Sequence, residues 1–234
     1  MKKAVVTGAS RGIGKEITLR LLSLGYQVIG ISRSINKDMF CEYENFIPIP
    51  CNLSDEKNVI SICNYLKKED TIDVLINCAG FGKFEPHEEL NFKTITQMTF
   101  LNLTTPMLLT NALLRTLKKN NGYIINITSI EAIKRSKFAA LYSATKAGLK
   151  AFGDSLFEET RKSNLSVTNI NPDMTESNFY DELRFDVSSK EKEKLLSSDI
   201  ADAIEHILSM RKGAVISDYT IRSLNFGISK KTKK

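Results

Sequence analysis

The sequence predicts an α/β fold: a doubly wound, mostly parallel sheet with helices on both faces, in a single domain over residues 1–234. Two observations predict it. Short strand-like runs alternate with amphipathic helical stretches, and the runs are apolar throughout, as strands buried on both faces are. A glycine-rich turn joins the first run to the first helical stretch, where a doubly wound sheet receives a dinucleotide.

The elements follow in order. Residues 4–7 form the first strand. Residues 14–24 carry Ile17, Leu21, Leu22 and Leu24 at helical spacing, and Gly25 supplies the stop. Gln27–Ser32 is the second strand and 46–51 the third. Ser54 or Asp55 caps a helix running to about Lys68. Residues 72–77 are a strand, 92–117 one long helix, and 123–128 a strongly β-branched strand. A second long helix spans 141–162, and a further strand 166–170. No repeat and no Pro-, Ser- or Gly-rich linker breaks the pattern.

Composition narrows the function classes. A hydrophobic content of 42% fills a substantial core. No apolar run approaches the about 20 residues of a membrane span, and the apolar stretch after Met1-Lys2-Lys3 is too short for a secretory signal. A cytoplasmic protein without membrane contact is expected. Cys41, Cys51, Cys63 and Cys78 show no C-x-x-C spacing, and His87 and His206 stand isolated, so no metal site is expected. The net charge of +6 owes much to Lys230, Lys231, Lys233 and Lys234, and residues 228–234 have the character of a basic, frayed tail. No basic stripe interleaved with aromatics points to nucleic acid.

Tyr142 and Lys146, in Tyr-Ser-Ala-Thr-Lys, carry the most chemistry. Four residues apart on a helix, they share a face. A phenol ionises near pH 10, and an ammonium beside it favours the phenolate. Alone, the pair also describes a lysine snorkelling past a half-buried ring. It gains force from Ser129, from Asn102, and from the turn Thr7-Gly8-Ala9-Ser10-Arg11-Gly12-Ile13-Gly14. The turn is spaced G-x-x-x-G-x-G, unlike the common G-x-G-x-x-G. Its glycines let a phosphate approach the backbone, and the helix amino terminus attracts the charge.

Together these motifs resemble the short-chain dehydrogenase/reductase family in its compact, core-only form, a Rossmann-like fold. Gly8, Gly12 and Gly14, with Ser10, Arg11 and Ile13 between and around them, match its glycine turn. Asn77-Cys78-Ala79-Gly80 is similar to the family's Asn-Asn-Ala-Gly. Asn102, Ser129, Tyr142 and Lys146 look like its active-site tetrad. The resemblance implies an oxidoreductase interconverting a small-molecule carbonyl and a secondary alcohol with a nicotinamide cofactor, reduction being the expected direction. Ser129 would bond the substrate oxygen and Tyr142 pass it a proton. Lys146 would lower the tyrosine pKa and hold the nicotinamide ribose, and Asn102 position a water. Asn77, Ala79 and Gly80 would stand beside the cofactor.

The end of the second strand reads Ile31-Ser32-Arg33, with no carboxylate to take a ribose diol. Arg33 and Arg11 suit a 2′-phosphate, which favours NADP(H) over NAD(H). Asn52 replaces the family's aspartate and is expected, with Leu53, at the adenine. In Asn171-Pro172-Asp173-Met174-Thr175, Pro172 and Thr175 are expected near the nicotinamide. Asp173 there replaces a glycine, at a place where aspartate tolerates left-handed backbone better than most residues. Residues 178–198, with Phe179, Tyr180, Leu183 and Phe185 as an apolar underside, resemble a substrate lid. Lys134, Arg135 and Lys137 either draw an anionic substrate or acyl carrier, or form a solvated loop. The resemblance further implies a homodimer or homotetramer packed through the two long helices. A non-catalytic protein that senses NADP(H) or binds a partner is the competing reading, opposed by the complete tetrad.

Overall fold

The computed structural model describes residues 1–231. Seven strands form one parallel sheet: β1 (Lys3–Thr7), β2 (Gln27–Ser32), β3 (Phe46–Pro50), β4 (Val74–Asn77), β5 (Tyr123–Ile127), β6 (Ser166–Pro172) and β8 (Asp218–Ile221). Their spatial order is β3-β2-β1-β4-β5-β6-β8. Connections run one way from β1 and the other way from β4, which opens a crevice at the carboxyl ends of the two strands. The helices are α1 (Gly12–Ser23), α2 (Glu56–Leu66), α3 (Phe92–Thr99), α4 (Thr105–Lys119), α5 (Ala140–Thr160) and α6 (Ser197–Ser209). Neither α6 nor β8 was expected from the sequence.

Alternate strand residues enter opposite cores. Ala4 and Val6 join the apolar cluster with Ile17, Leu21, Ile200 and Ile204 of α1 and α6. Val5 joins the one with Val59, Leu66, Leu109 and Leu113 of α2 and α4. With both faces covered, most positions of the central strands are apolar, which is why the runs lack alternation.

One polar seam crosses this sheet. Pairing register aligns Asn77, Asn126, Asn169 and Asp218 on β4, β5, β6 and β8. Asn77 Nδ2 donates to Asn126 Oδ1 at 2.9 Å, and Asn126 Nδ2 to Asn169 Oδ1 at 3.1 Å. Asn169 Nδ2 in turn donates to Asp154 Oδ1 on α5 at 2.8 Å. Gly153 lets α5 lie against the seam, since a β-carbon there would stand 2.8 Å from Asn126 Nδ2 and closer still to Asn169 Oδ1.

Two expectations need correction, and the backbone at Asp173 is settled. The long helix over 92–117 is α3 and α4 joined through a π-turn at Phe100–Thr104, where an extra residue per turn breaks the ordinary hydrogen-bond ladder. The tail at 228–234 is not frayed at its start: β9 (Ile228–Lys230) pairs antiparallel with β7 (Phe185–Val187) inside the segment expected as a lid. Lys231 continues the attachment, its backbone N–H donating to Arg184 O at 3.0 Å and its Nζ lying 3.4 Å from the Asp186 carboxylate. Lys233 and Lys234 lie outside the described residues. Asp173 does not occupy left-handed backbone; among the described residues only Asn121, Phe138 and Asn164 do so without being glycine. Its carboxylate instead accepts from Met174 N–H at 3.0 Å and from Arg222 Nε at 3.1 Å. No helix among the described residues is long and apolar enough to cross a membrane.

Candidate active site

A cleft of about 610 Å³ opens over the carboxyl ends of β1, β4, β5 and β6. The glycine turn forms one end. Gly8 and Gly12 take positive φ of 72° and 52°, and a β-carbon on Gly14 would collide with the Gly8 carbonyl. Thr7 ties this turn to the strand beside it, its Oγ1 accepting from Cys78 and Ala79 N–H at 2.9 and 3.0 Å. Arg11 precedes α1 in extended backbone with no side-chain cap, so the first N–H groups of the helix are free for an anion. Ser10, Arg11, Ile13, Ser32 and Arg33 line this end; both arginines are exposed, and the Ser32 hydroxyl has no protein partner. Asn52 and Leu53 stand beside them, with Asn52 Oδ1 accepting from Ser54 N–H at 3.2 Å. The uncapped helix end, the glycines of the turn and the unpartnered Ser32 oxygen fit a dinucleotide.

Ala79, Gly80, Ser129, Tyr142, Lys146, Pro172 and Thr175 line the cleft farther along. Asn77 does not, because its side chain is committed to the polar seam, where its Oδ1 is left unpartnered. Asn102 sits on the π-turn, fully buried, and clasps the backbone of Phe81: Oδ1 accepts from Phe81 N–H at 3.1 Å and Nδ2 donates to Phe81 O at 2.9 Å. Its Nδ2 also reaches Thr145 Oγ1 at 3.2 Å, and Thr145 donates to Tyr142 O at 2.8 Å. A β-carbon on Gly80 would touch Asn102 Oδ1 and lie 3.5 Å from Lys146 Nζ, so the absent side chain brings these groups together.

Lys146 is buried, and its Nζ donates to Ile127 O at 2.8 Å. Burial lowers its pKa to about 8. Burial likewise pushes the Tyr142 phenol up, with the Ser129 hydroxyl opposing. The expected lowering of the tyrosine by Lys146 is therefore reversed among the protein groups. The ammonium is spent on a carbonyl, 5.9 Å from the ring centre, and desolvation dominates both side chains. The Cys78 thiol, pushed up to about 12 by burial, is no nucleophile. Ser129 precedes a short 3₁₀ turn and accepts from Glu131 N–H at 3.1 Å. The Glu131 carboxylate accepts from Ser143 Oγ at 2.9 Å, which ties the Ser129 loop to α5 beside Tyr142.

A family model described as short chain dehydrogenase matches residues 2–189. The chain belongs to the short-chain dehydrogenase family. It is an oxidoreductase of that family. An NADP-dependent 3-hydroxy acid dehydrogenase of Schizosaccharomyces pombe is 30% identical over 93% of this chain and 90% of its own. An acetoacetyl-CoA reductase of Acinetobacter is 28% identical over 97% of each. The solved alcohol dehydrogenase of Thermococcus sibiricus, complexed with 5-hydroxy-NADP, superposes with a TM-score of 0.86 at 26% identity, covering 96% of this chain and 97% of that one.

In this short-chain dehydrogenase, aromatic rings close over Tyr142: Phe179, Tyr180 and Phe185 come from the expected underside of the lid, and Phe84 was left unassigned by the sequence. Phe84, on the loop after β4, and Phe179 lie 5.2 and 5.6 Å from the Tyr142 ring, centre to centre. Phe185 and Tyr180 continue the cluster at 5.2 Å from Phe84 and Phe179 respectively. The run Phe81-Gly82-Lys83-Phe84, directly after Asn-Cys-Ala-Gly, was the available signal. The basic loop stays outside the cleft: Lys134 and Lys137 rest on the faces of Phe226 and Phe138 at 4.8 and 4.9 Å.

Proposed function

We propose that this protein is an NADP(H)-dependent reductase that converts a carbonyl to a secondary alcohol, with Tyr142 as the proton donor. The convergence of Tyr142, Ser129 and Lys146 with the glycine turn in one cleft carries the reading. The cofactor, when bound, supplies the hydride. Gly8 to Gly14 and the α1 amino terminus receive its pyrophosphate, and Ala79 and Gly80 flank it. Asn52 and Leu53 border the adenine, while Pro172 and Thr175 border the nicotinamide. Asn77 acts through the sheet rather than by contact.

Ser129 Oγ holds the substrate oxygen. The phenol of Tyr142, kept protonated by burial, releases its proton to that oxygen as the carbonyl carbon is reduced. Lys146 binds the cofactor ribose and, with a pKa of about 8, exchanges a proton near neutral pH. Asn102 positions this set by fixing Phe81 and, through Thr145, the α5 backbone at Tyr142.

Arg11 and Arg33, with no carboxylate at the end of β2, support NADP(H), as do the names of the yeast relative and the archaeal structure. Segment 178–198 serves as the lid, and the long helices provide a self-association surface. The deciding experiment measures NADPH oxidation over a panel of ketones and aldehydes, comparing wild type with Tyr142→Phe. The expected loss is about 10²- to 10⁴-fold in kcat with cofactor affinity retained. Tight NADPH binding without tyrosine-dependent turnover of any substrate would instead establish a cofactor sensor.

A further inference from the structure

The substrate end of the cleft has a chemical character of its own. Phe81, Phe179, Tyr180 and Leu183 line it around Tyr142, and Phe84 and Phe185 back the wall from behind. Phe84 and Phe179 belong to both apolar clusters here, the one holding Tyr142 and the one holding Tyr180 and Leu183, so the wall is continuous.

The charges point the same way. Among the described residues, the cations lining the cleft are Arg11 and Arg33, at the glycine-turn end, and Lys146, committed to Ile127 O. Of the cations nearer the lid, Lys83 pairs with Glu85 at 3.1 Å, Arg222 with Asp173 at 3.1 Å and Lys231 with Asp186, while the exposed Lys192 stands outside the cleft lining. At the rim of the lid stand the exposed carboxylates of Asp181 and Glu182. An anionic substrate would meet two negative charges and no free positive one, and burying its charge unpaired is costly.

We propose that the preferred substrate is an uncharged ketone bearing a flat, apolar substituent, an aryl group above all. The substituent seats on the rings of Phe179 and Tyr180, while the carbonyl oxygen meets Ser129 and Tyr142. This rests on the reductase reading and deepens it. The chemistry is balanced by the same partners: the C=O π bond breaks, a hydride from the reduced nicotinamide forms the new C–H bond, and the Tyr142 proton forms O–H.

The test measures kcat/KM of the full chain with NADPH for 1-phenylethanone, butanone, 3-oxobutanoate and 3-oxobutanoyl-CoA. The aryl ketone is expected to exceed each anionic substrate by at least about tenfold. Phe179→Ala is expected to lower the aryl value about tenfold, the scale of one lost aromatic pair, and the butanone value far less. Direct NADPH titration should show cofactor affinity unchanged. Should the alanine variant fail to fold, Phe179→Leu keeps apolar bulk without the ring and must give the same split. Preference for either anionic substrate, or an equal loss on both ketones, overturns this inference alone. Absence of Tyr142-dependent turnover across the panel overturns it together with the reductase reading.

Discussion

Replacing Lys146 by methionine separates function from stability in a way that can be worked out in advance. The lysine is 4% exposed, and burial brings its pKa from 10.5 to about 8. Between those values the unfolded chain binds the proton and the folded chain does not, so the contribution of this group to wild-type stability rises with pH across that window. Integrated from pH 7 to pH 9.5, the rise due to this one group is about 2 kcal/mol. Lys146→Met has no such group. Its loss of the bond to Ile127 O costs the same at both pH values, and the Cys78 thiol, pushed up to about 12 by burial, stays protonated in both folded proteins, so its titration in the unfolded chain cancels in the difference. The stability difference, wild type minus variant, should therefore grow by about 2 kcal/mol from pH 7 to pH 9.5. Urea unfolding of both proteins at the two pH values measures it, and the variant should be inactive at either. A difference independent of pH would refute the claim that the folded state penalises this charge.

Other outcomes follow from the same geometry. Gly153→Ala drives a methyl group into the seam of asparagines and should cost about 1–3 kcal/mol, read by denaturant unfolding; an unchanged midpoint would mean α5 shifts freely. Arg33→Asp should weaken NADPH binding by about tenfold or more and improve NADH, measured by fluorescence titration; indifference to either change would remove Arg33 from the cofactor site.

The central strands were legible because burial on both faces leaves a run such as Val74–Asn77 nowhere to place a polar residue but the seam. The glycine turn was legible because a positive φ and a forbidden β-carbon leave glycine alone at Gly8 and Gly14. The break in the long central helix was not, since Phe100–Thr104 carries no proline or glycine to mark it. The Tyr142 and Lys146 titration escaped as well. Helical spacing places two side chains on one face but says nothing of the Ile127 carbonyl that takes the ammonium, nor of the rings that dry the phenol. Phe84 meets Tyr142 across 58 positions of chain, from Phe84 to Tyr142, and only the folded sheet brings them side by side.

The pairing of β9 with β7 has a practical bearing on anyone handling this protein. The last described strand is stitched to the segment that overhangs the reaction centre, with Lys231 bonded to Arg184 and beside Asp186. A purification tag, surface linker or fluorescent fusion at the carboxyl end would follow closely on a strand paired to that overhang. The amino terminus, by contrast, enters the central strand β1 at the end opposite the cleft mouth, because β1 delivers its carboxyl end to the glycine turn. Fusions belong there, and kinetic comparisons between differently tagged preparations should begin with the end that carries the tag.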